Sequence, residues 1–285
     1  MLGIKSLNGN KLDTWFTSNS GTTTAKGRYH EWQTDTLAAA AENIQIEGDQ
    51  LDASVITPTV RAGNYTQILA KIFMVSDTQE KVDKAGRTSE IAYQTTKTLK
   101  ELARDIEYGL LINSASAVGA SATARKTKGV IGWIATNATT AATGTGTAAL
   151  TETVMNDNLA LIWAQGGTPK VSLVGAITKR AISAFTTNTK YTLADEKKLT
   201  SAVDIYQSDF GPIAIKLHHI INTTAPGTMV NLGDMELWKK AWLNNVKKEE
   251  MARTGLARKF VVHCELALEC RQEKGSGKIT QLTAA

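Results

Sequence analysis

Apolar and charged positions alternate with helical spacing between Thr88 and Asn113. Apolar side chains recur in steps of three and four at Ile91, Leu99, Leu102, Ile106 and Leu110. The other face carries Lys97, Lys100, Glu101, Arg104 and Asp105. This period predicts one amphipathic helix, roughly 39 Å long. Such a helix needs a partner surface, because helical stability comes mostly from a packed face.

A period of two residues, which is typical of strands, predicts a projecting hairpin over 53–76. The outgoing strand would run from Ala53 to Val60, with Pro58 restricting it to an edge position. The tip would be Arg61-Ala62-Gly63-Asn64, which is turn chemistry. The return strand would run from Tyr65 to Val75. Because a two-stranded hairpin is marginally stable alone, it must lie on its own body or on another subunit.

The remaining patterns are weaker. Residues 1–33 are polar and predict an arm that folds only against a neighbour. Strands are predicted at 29–35, 129–134, 171–174, 202–206, 213–221, 228–232 and 261–271, and helices at 151–165, 176–185 and 235–241. The Thr/Ala/Gly stretch at 139–149 predicts a mobile loop. The alternation of helices and strands after Thr151 indicates a mixed α/β region.

Composition excludes several classes of protein. The chain of 285 residues has a net charge of +5 and no block of Lys and Arg. A modest basic excess fits a surface that faces nucleic acid, and equally fits ordinary solubility charge. Cys264 and Cys270 would lie about 20 Å apart on one strand, too far for a disulfide. We find no secretory signal and no apolar run of membrane-spanning length.

The residues that carry chemistry do not assemble into a recognisable site. The soft metal ligands His218, His219, His263, Cys264 and Cys270 lack metal-binding spacing. Gly275-Ser276-Gly277-Lys278 resembles part of a phosphate-binding loop but lacks the following Ser or Thr and the helix. Glu249-Glu250 is best explained as a solvated turn. We therefore predict no catalytic residue, no cofactor, no bound metal and no enzymatic activity.

The order of segments resembles the major capsid proteins of tailed bacteriophages with the Hong Kong ninety-seven fold. Three stretches carry most of the likeness: Tyr29-His30-Glu31-Trp32-Gln33-Thr34-Asp35-Thr36-Leu37-Ala38, Arg61-Ala62-Gly63-Asn64-Tyr65-Thr66-Gln67-Ile68 and Ala85-Gly86-Arg87-Thr88-Ser89-Glu90-Ile91-Ala92-Tyr93-Gln94. Two shorter stretches, Glu249-Glu250-Met251-Ala252-Arg253-Thr254-Gly255 and Glu273-Lys274-Gly275, are similar too.

The resemblance implies an α+β capsid fold with five segments. These are an N-terminal arm at 1–44, an extended hairpin loop with its linker at 45–87, a peripheral domain with the spine helix at 88–149, an axial domain at 150–240, and a return to the peripheral domain with the C-terminal strand at 241–285. The hairpin would lie over a neighbour's spine helix. We expect intersubunit contacts from Arg61, Asn64, Tyr65, Trp32, Lys97 and Arg104, although a plain solvated turn explains Arg61 and Asn64 equally well.

The function implied is that of a structural protein of the virion. It would self-assemble, in the cytoplasm of the host bacterium, into hexamers and pentamers of an icosahedral shell around double-stranded DNA. DNA contact would be sequence-independent, and portal, scaffolding or decoration proteins are candidate partners, with no membrane involved. Two alternatives stay open: an encapsulin-like nanocompartment shell, and, in another class, a soluble α+β enzyme or basic nucleic-acid-binding module.

Overall fold

The computed structural model describes residues 14–283 except 36, 49, 51–55, 57, 84–85, 87, 143–145, 186–204 and 254. Its helices are α1 Trp15–Asn19, α2 Asp77–Lys81, α3 Glu90–Ile112, α4 Val130–Trp133, α5 Glu152–Ala164, α6 Ala176–Ser183 and α7 His219–Thr224. Its strands are β1 Gly21–Thr24, β2 Tyr29–Thr34, β3 Val60–Tyr65, β4 Gln67–Ser76, β5 Ala138–Thr140, β6 Ala148–Ala149, β7 Val171–Val174, β8 Ile205–Ser208, β9 Gly211–Leu217, β10 Met229–Leu232, β11 Trp238–Glu250, β12 Ala257–Cys270, β13 Gly277–Thr280 and β14 Leu282–Thr283.

The predicted long helix is confirmed as α3, to within two residues at each end. Its first turn is capped twice. Ser89 accepts a hydrogen bond from the Ala92 N–H at 3.2 Å. The Glu80 carboxylate of α2 accepts from the N–H groups of Glu90 and Ile91 at 2.9 and 3.1 Å. These bonds satisfy donors that a helix start otherwise leaves unpaired.

Helix α3 packs under a four-stranded sheet in the order β1-β11-β12-β4. The two long strands β11 and β12 are antiparallel, as are β12 and β4, whereas β1 joins the other edge in parallel. The apolar face of the helix packs in one core with the even-numbered face of β12 (Leu102, Ile106, Leu110, Val262, Cys264, Leu266 and Leu268). The two cysteines form no disulfide with each other, as the sequence predicts, and the structure shows that both are buried.

A second sheet has six strands in the order β5-β13-β10-β7-β9-β8. Its core is formed mainly with α5 and α6, through Met155, Leu159, Ile162 and Ile182. The predicted α5 is confirmed, and Thr151 accepts a hydrogen bond from the Val154 N–H as its N-cap. Strand β13, from the last ten residues, and β5 both lie in this sheet, so the C-terminal segment does not simply return to the first sheet.

The predicted hairpin over 53–76 is wrong where the structure describes it; residues 51–55 and 57 lie outside the described part. β3 and β4 do not pair with each other. β3 pairs with β2 from Tyr29 to Thr34, and β4 pairs with β12 from Ala257 to Leu266. The predicted tip at 61–64 is part of β3. A Cβ atom at Gly63 would lie 2.6 Å from the outer end of the Tyr29 ring, so this glycine leaves room for the ring to lie across β3 and does not form a turn.

The prediction that residues 1–33 fold only against a neighbour is wrong for the described part, residues 14–33; residues 1–13 lie outside it. The Phe16 side chain is buried against Trp238, with ring centroids 6.2 Å apart. β1 extends the four-stranded sheet. The segment has a polar sequence because Thr22 and Thr24 point outward along β1, while the aromatic side chains of Trp15 and Phe16 attach the segment to the core.

Three further predictions are corrected. Residues 130–133 form a helical turn and not a strand; at Gly132 a Cβ atom would lie 2.4 Å from the Ser114 carbonyl oxygen. The predicted strand at 213–221 ends at Leu217, where His218 caps α7. The predicted helix at 235–241 is a 3₁₀ turn of three residues that leads into β11. The sequence did not predict β11, because register shifts at Trp242–Asn244 and Asn244–Lys247 break the alternation of apolar and polar side chains along it. Glu249 and Glu250 are the last residues of this strand and do not form a turn.

Candidate assembly surfaces

The segment between β2 and β3, residues 35–59, is the least packed part of the described chain. Its described residues form no helix or strand, and all of them are exposed. Leu37 is 99% exposed, and Ile44 and Ile46 are 78% and 79% exposed. Several large apolar side chains exposed on one unpacked segment favour an interaction site. We call residues 35–59 the extended segment.

The extended segment is also acidic. From residue 35 to residue 60 the sequence has no Lys or Arg, and it has acids at Asp35, Glu42, Glu47, Asp49 and Asp52. Apolar and acidic groups therefore occur together on one projection. A surface that covers this segment has to offer apolar side chains together with positive charge.

Such a surface lies on the outer face of β4. The strand alternates strictly, with Leu69, Lys71, Phe73 and Val75 turned toward α3. The other face exposes Ile68, Ile72 and Met74. Directly opposite these on β12 lie Glu265, Val261 and Lys259. The result is an apolar strip on the sheet, with Lys259 at one end and Glu265, which is buried and paired with Arg125, at the other.

The β4-side flank of α3 carries mixed charge. Lys71 of β4 forms ion pairs with Glu101 and Asp105 of the helix, with N–O distances of 3.7 and 3.0 Å. Lys97 lies one turn earlier, 3.9 Å from Glu101. Arg104 and Tyr108 lie on the same face of α3 as Lys97, because they follow it by seven and eleven residues, which is about two and three helical turns. Lys97 is exposed and Arg104 is half-buried, so both predicted contact residues lie at the surface.

The other four predicted contact residues lie on the β2–β3 ribbon. Arg61 is exposed, 3.6 Å from Glu31. Tyr65 is half-buried and stacks on Tyr29, with centroids 4.7 Å apart. The Trp32 indole N–H donates to the Cys270 carbonyl oxygen at 2.8 Å, and its ring lies 5.6 Å from that of Trp133. Trp32 therefore attaches the ribbon to its own subunit.

Asn64 must be removed from the contact candidates. Its side chain is fully buried. Its amide donates to the carbonyl oxygens of Lys128 and Leu268 at 3.0 and 2.8 Å, and its oxygen accepts from the Lys128 N–H at 2.9 Å. All three bonds stay within the subunit. The sequence suggested a turn because Asn follows Gly, but the amide instead satisfies backbone groups at the base of the ribbon.

Sequence reasoning missed a buried polar cluster around Glu107. This carboxylate accepts from the N–H groups of Phe16 and Thr17, both at 2.7 Å, and from the Thr17 hydroxyl. It also bonds to Nε2 of His218 at 3.0 Å, and both side chains are 0% exposed. We call Glu107, Thr17 and His218 the Glu107 cluster; it joins α1, α3 and the start of α7.

Lys240 lies beside the Glu107 cluster, where its ammonium donates to the Thr17 carbonyl oxygen. Burial lowers the pKa of Lys240, and the Glu107 carboxylate opposes that shift. One signal in the sequence could have revealed the cluster: Glu107 lies between Ala103 and Leu111 on the apolar side of α3. A charged residue there must find partners inside the protein.

The described residues were also searched for a metal site, a membrane-spanning helix and a reactive thiol. No three His, Cys, Asp or Glu side chains lie together in a way that would hold a metal ion. No helix in the described ranges is long and apolar enough to span a membrane. Burial raises the pKa of Cys264 to about 12, which leaves this thiol unreactive near neutral pH.

Comparison with protein families gives a match to the SU10 major capsid protein over residues 7–283. The match covers almost the whole chain. The chain belongs to the SU10 major capsid protein family. A major capsid protein is the principal shell protein of a phage head, so the chain is a structural component of the virion capsid.

A relative supports the family assignment over part of the chain. The major capsid protein of Escherichia phage Phieco32 is 39% identical over 104 residues. This match covers 36% of the chain and 30% of the relative's length. The chain thus spans under a third of that relative.

Solved structures show the fold of this SU10-family chain. A structure of Gordonia phage Cozz superposes with a TM-score of 0.62 at 12% identity, covering 96% of the chain and 87% of that structure. The holo-SrpI encapsulin complex of Synechococcus elongatus superposes with a TM-score of 0.61 at 10% identity, covering 94% and 87%. The predicted Hong Kong ninety-seven fold is confirmed.

Proposed function

We propose that copies of this chain assemble into the hexamers and pentamers of an icosahedral shell that encloses double-stranded DNA. The family assignment makes the chain a major capsid protein. The observation that carries the proposed assembly mode is the extended segment, whose exposed apolar side chains have no cover in a single subunit.

In the proposed mechanism, the extended segment of one subunit covers the peripheral region of its neighbour. The apolar strip formed by Ile68, Ile72 and Met74 is a suitable surface, with Lys259 at one end, while Lys97 and Arg104 lie on α3, on the opposite face of the sheet. The contact is heterologous, because the segment and the strip are different patches, and heterologous contacts close into rings when the rotation permits. Each capsomer would repeat the contact around its axis.

The energetics favour assembly through many modest contacts. Full burial of one Leu or Ile side chain contributes about 1.5–3 kcal/mol. Ordering the backbone of the segment costs about 1–2 kcal/mol per residue. A single contact is therefore weak, whereas a closed shell repeats it at every interface, so that complete shells are favoured over isolated pairs.

We further propose that the shell subunit is not an enzyme and that its contact with DNA is sequence-independent. The net charge of +5 supports a modest attraction to phosphate. Neutralisation of phosphates by Lys and Arg makes such binding fall steeply with salt. Portal, scaffolding and decoration proteins would be further partners in a phage head.

The alternative function is an encapsulin-like nanocompartment; the similarity to the Synechococcus elongatus encapsulin, at 10% identity, supports a shared fold, whereas the family match favours the phage head. Both hypotheses predict a closed shell, and they differ in its contents. Double-stranded DNA inside particles isolated from the native source supports the phage head, while a protein cargo supports the compartment.

The test is to express the chain and examine it by sedimentation velocity and electron microscopy. We expect closed, regular particles built from rings of five and six subunits. A species that stays monomeric across salt, pH and protein concentration would contradict the proposal.

A further inference from the structure

Part of the extended segment has the pattern of a strand without a partner. Residues 43–47 read Asn-Ile-Gln-Ile-Glu, so polar and apolar side chains alternate with a period of two. This pattern is typical of a strand with one apolar face. Yet Ile44 and Ile46 are exposed, and no strand in the described part of the chain pairs with these residues. Among the described residues, neither the apolar face nor the backbone of 43–47 has a strand partner.

The edge of β4 offers the complementary feature. Within the described residues β4 pairs with β12 alone, so the N–H and C=O groups that point away from β12 face no other strand. β4 is ten residues long, whereas the edge strands β1, β5 and β8 have three or four residues. Proteins usually protect such edges with charges, prolines or bulges. β4 has no proline, and its one charged side chain, Lys71, is paired with α3.

The side chains of the two strands match on both faces. A strand added to β4 would place Ile44 and Ile46 beside Ile68, Ile72 and Met74, which enlarges one apolar strip. Its opposite face, Asn43, Gln45 and Glu47, would lie over the flank of α3 that carries Lys97 and Arg104. Cross-strand apolar pairs stabilise a sheet, and on the other face Glu47 would meet a flank of α3 that carries Lys97 and Arg104 together with Glu101 and Asp105.

We propose that residues 43–47 of one subunit form an additional strand on the free edge of β4 in a neighbouring subunit. This inference rests on the proposed function, since the partner is a second copy in the shell. It converts the contact from surface packing to strand addition, in which backbone hydrogen bonds fix the register and alternate side chains supply specificity. The four-stranded sheet becomes a five-stranded sheet that crosses the subunit boundary.

The direct test is electron cryomicroscopy of the assembled particle. We expect backbone N–O distances of about 2.7–3.2 Å between residues 43–47 and β4 of the adjacent subunit. Particles in which the segment crosses the face of the sheet, or lies on another element, would overturn the inference and leave the proposed function intact. Failure to form any particle would overturn both.

A second test uses cysteine pairs in the assembled particle, because both native cysteines are buried. Ile44→Cys combined with Ile68→Cys, Ile72→Cys or Met74→Cys samples the register. At least one pair should give a ladder of covalent multimers under mild oxidation. Ile44→Cys with Trp163→Cys is the matched control, since Trp163 and Met74 are both 61% exposed. Equal yields in the control and in all three test pairs would contradict strand addition.

Discussion

The Glu107 cluster and the extended segment differ in whether their groups find partners within the same subunit. In the cluster, a carboxylate on the spine helix satisfies two backbone amides, a hydroxyl and a histidine, and both the carboxylate and the histidine are fully buried. In the extended segment, apolar side chains face solvent and the backbone has no strand partner. The comparison shows which contacts the subunit makes by itself. Buried polar bonds hold its helices and strands together, whereas the apolar side chains of the extended segment are exposed and available to a neighbouring subunit.

The largest loss of subunit stability should follow removal of the Glu107 carboxylate. Glu107→Ala leaves two amides, the Thr17 hydroxyl and His218 buried without their acceptor, and breaking such a buried set costs about 3–5 kcal/mol. Urea unfolding of the unassembled subunit measures the change. Glu101→Ala, at a half-exposed position on the same helix, should cost under about 1 kcal/mol. Equal losses for both variants would contradict the assigned role.

The next largest loss is expected at the base of the ribbon. Asn64→Ala leaves the Lys128 N–H and two carbonyl groups without partners, and each buried unsatisfied group costs about 1–3 kcal/mol. We expect a total loss of about 2–4 kcal/mol by the same urea measurement, again on the unassembled subunit. Arg61→Ala, on the same strand but exposed, is the matched control. If Asn64 instead served a neighbour, its substitution would leave the free subunit as stable as the wild type.

These two sites also show what sequence could and could not predict. The helices α3 and α5 and the strand β2 were predictable because their apolar periods are local. Asn64 and Glu107 were not, since their partners lie 64 to 204 residues away for one and 90 to 111 residues away for the other. β11 was not predicted from the sequence, because its bulges remove the alternation on which strand prediction depends. Similarity to a family supplied the assembly hypothesis, which no catalytic or binding motif could have provided.

A smaller, pH-dependent effect is expected at Glu269, which ties β2 to β12. A hydrogen bond from His30 at 2.9 Å, aided by Arg271, lowers the pKa of Glu269 below its ordinary value of 4.5. A depressed folded-state pKa stabilises the protein above pH 4.5, and that contribution is lost as the pH falls through the folded-state value. Thermal unfolding should therefore show a gap between wild type and Glu269→Gln that narrows below pH 4.5. A gap of constant size from pH 7 to the acid limit would contradict this assignment.

The smallest effect on the free subunit, and the largest on assembly, should come from the extended segment. Ile44→Asp with Ile46→Asp should change the unfolding free energy by less than about 0.5 kcal/mol, because neither side chain packs in the monomer. The same pair should abolish particle formation in sedimentation velocity, since charge would enter the apolar contact. A double substitution at Val118 and Leu256, which are also exposed, to Asp is the control and should still yield particles.

Hydrogen–deuterium exchange on free subunits and on assembled particles tests the central claim most directly. We predict that the amides of residues 37–48 exchange within the shortest labelling time in the free subunit and become strongly protected in the particle. The amides of Phe16 and Thr17 should be protected in both states. Protection of 37–48 in the free subunit, or continued fast exchange in the particle, would contradict the account.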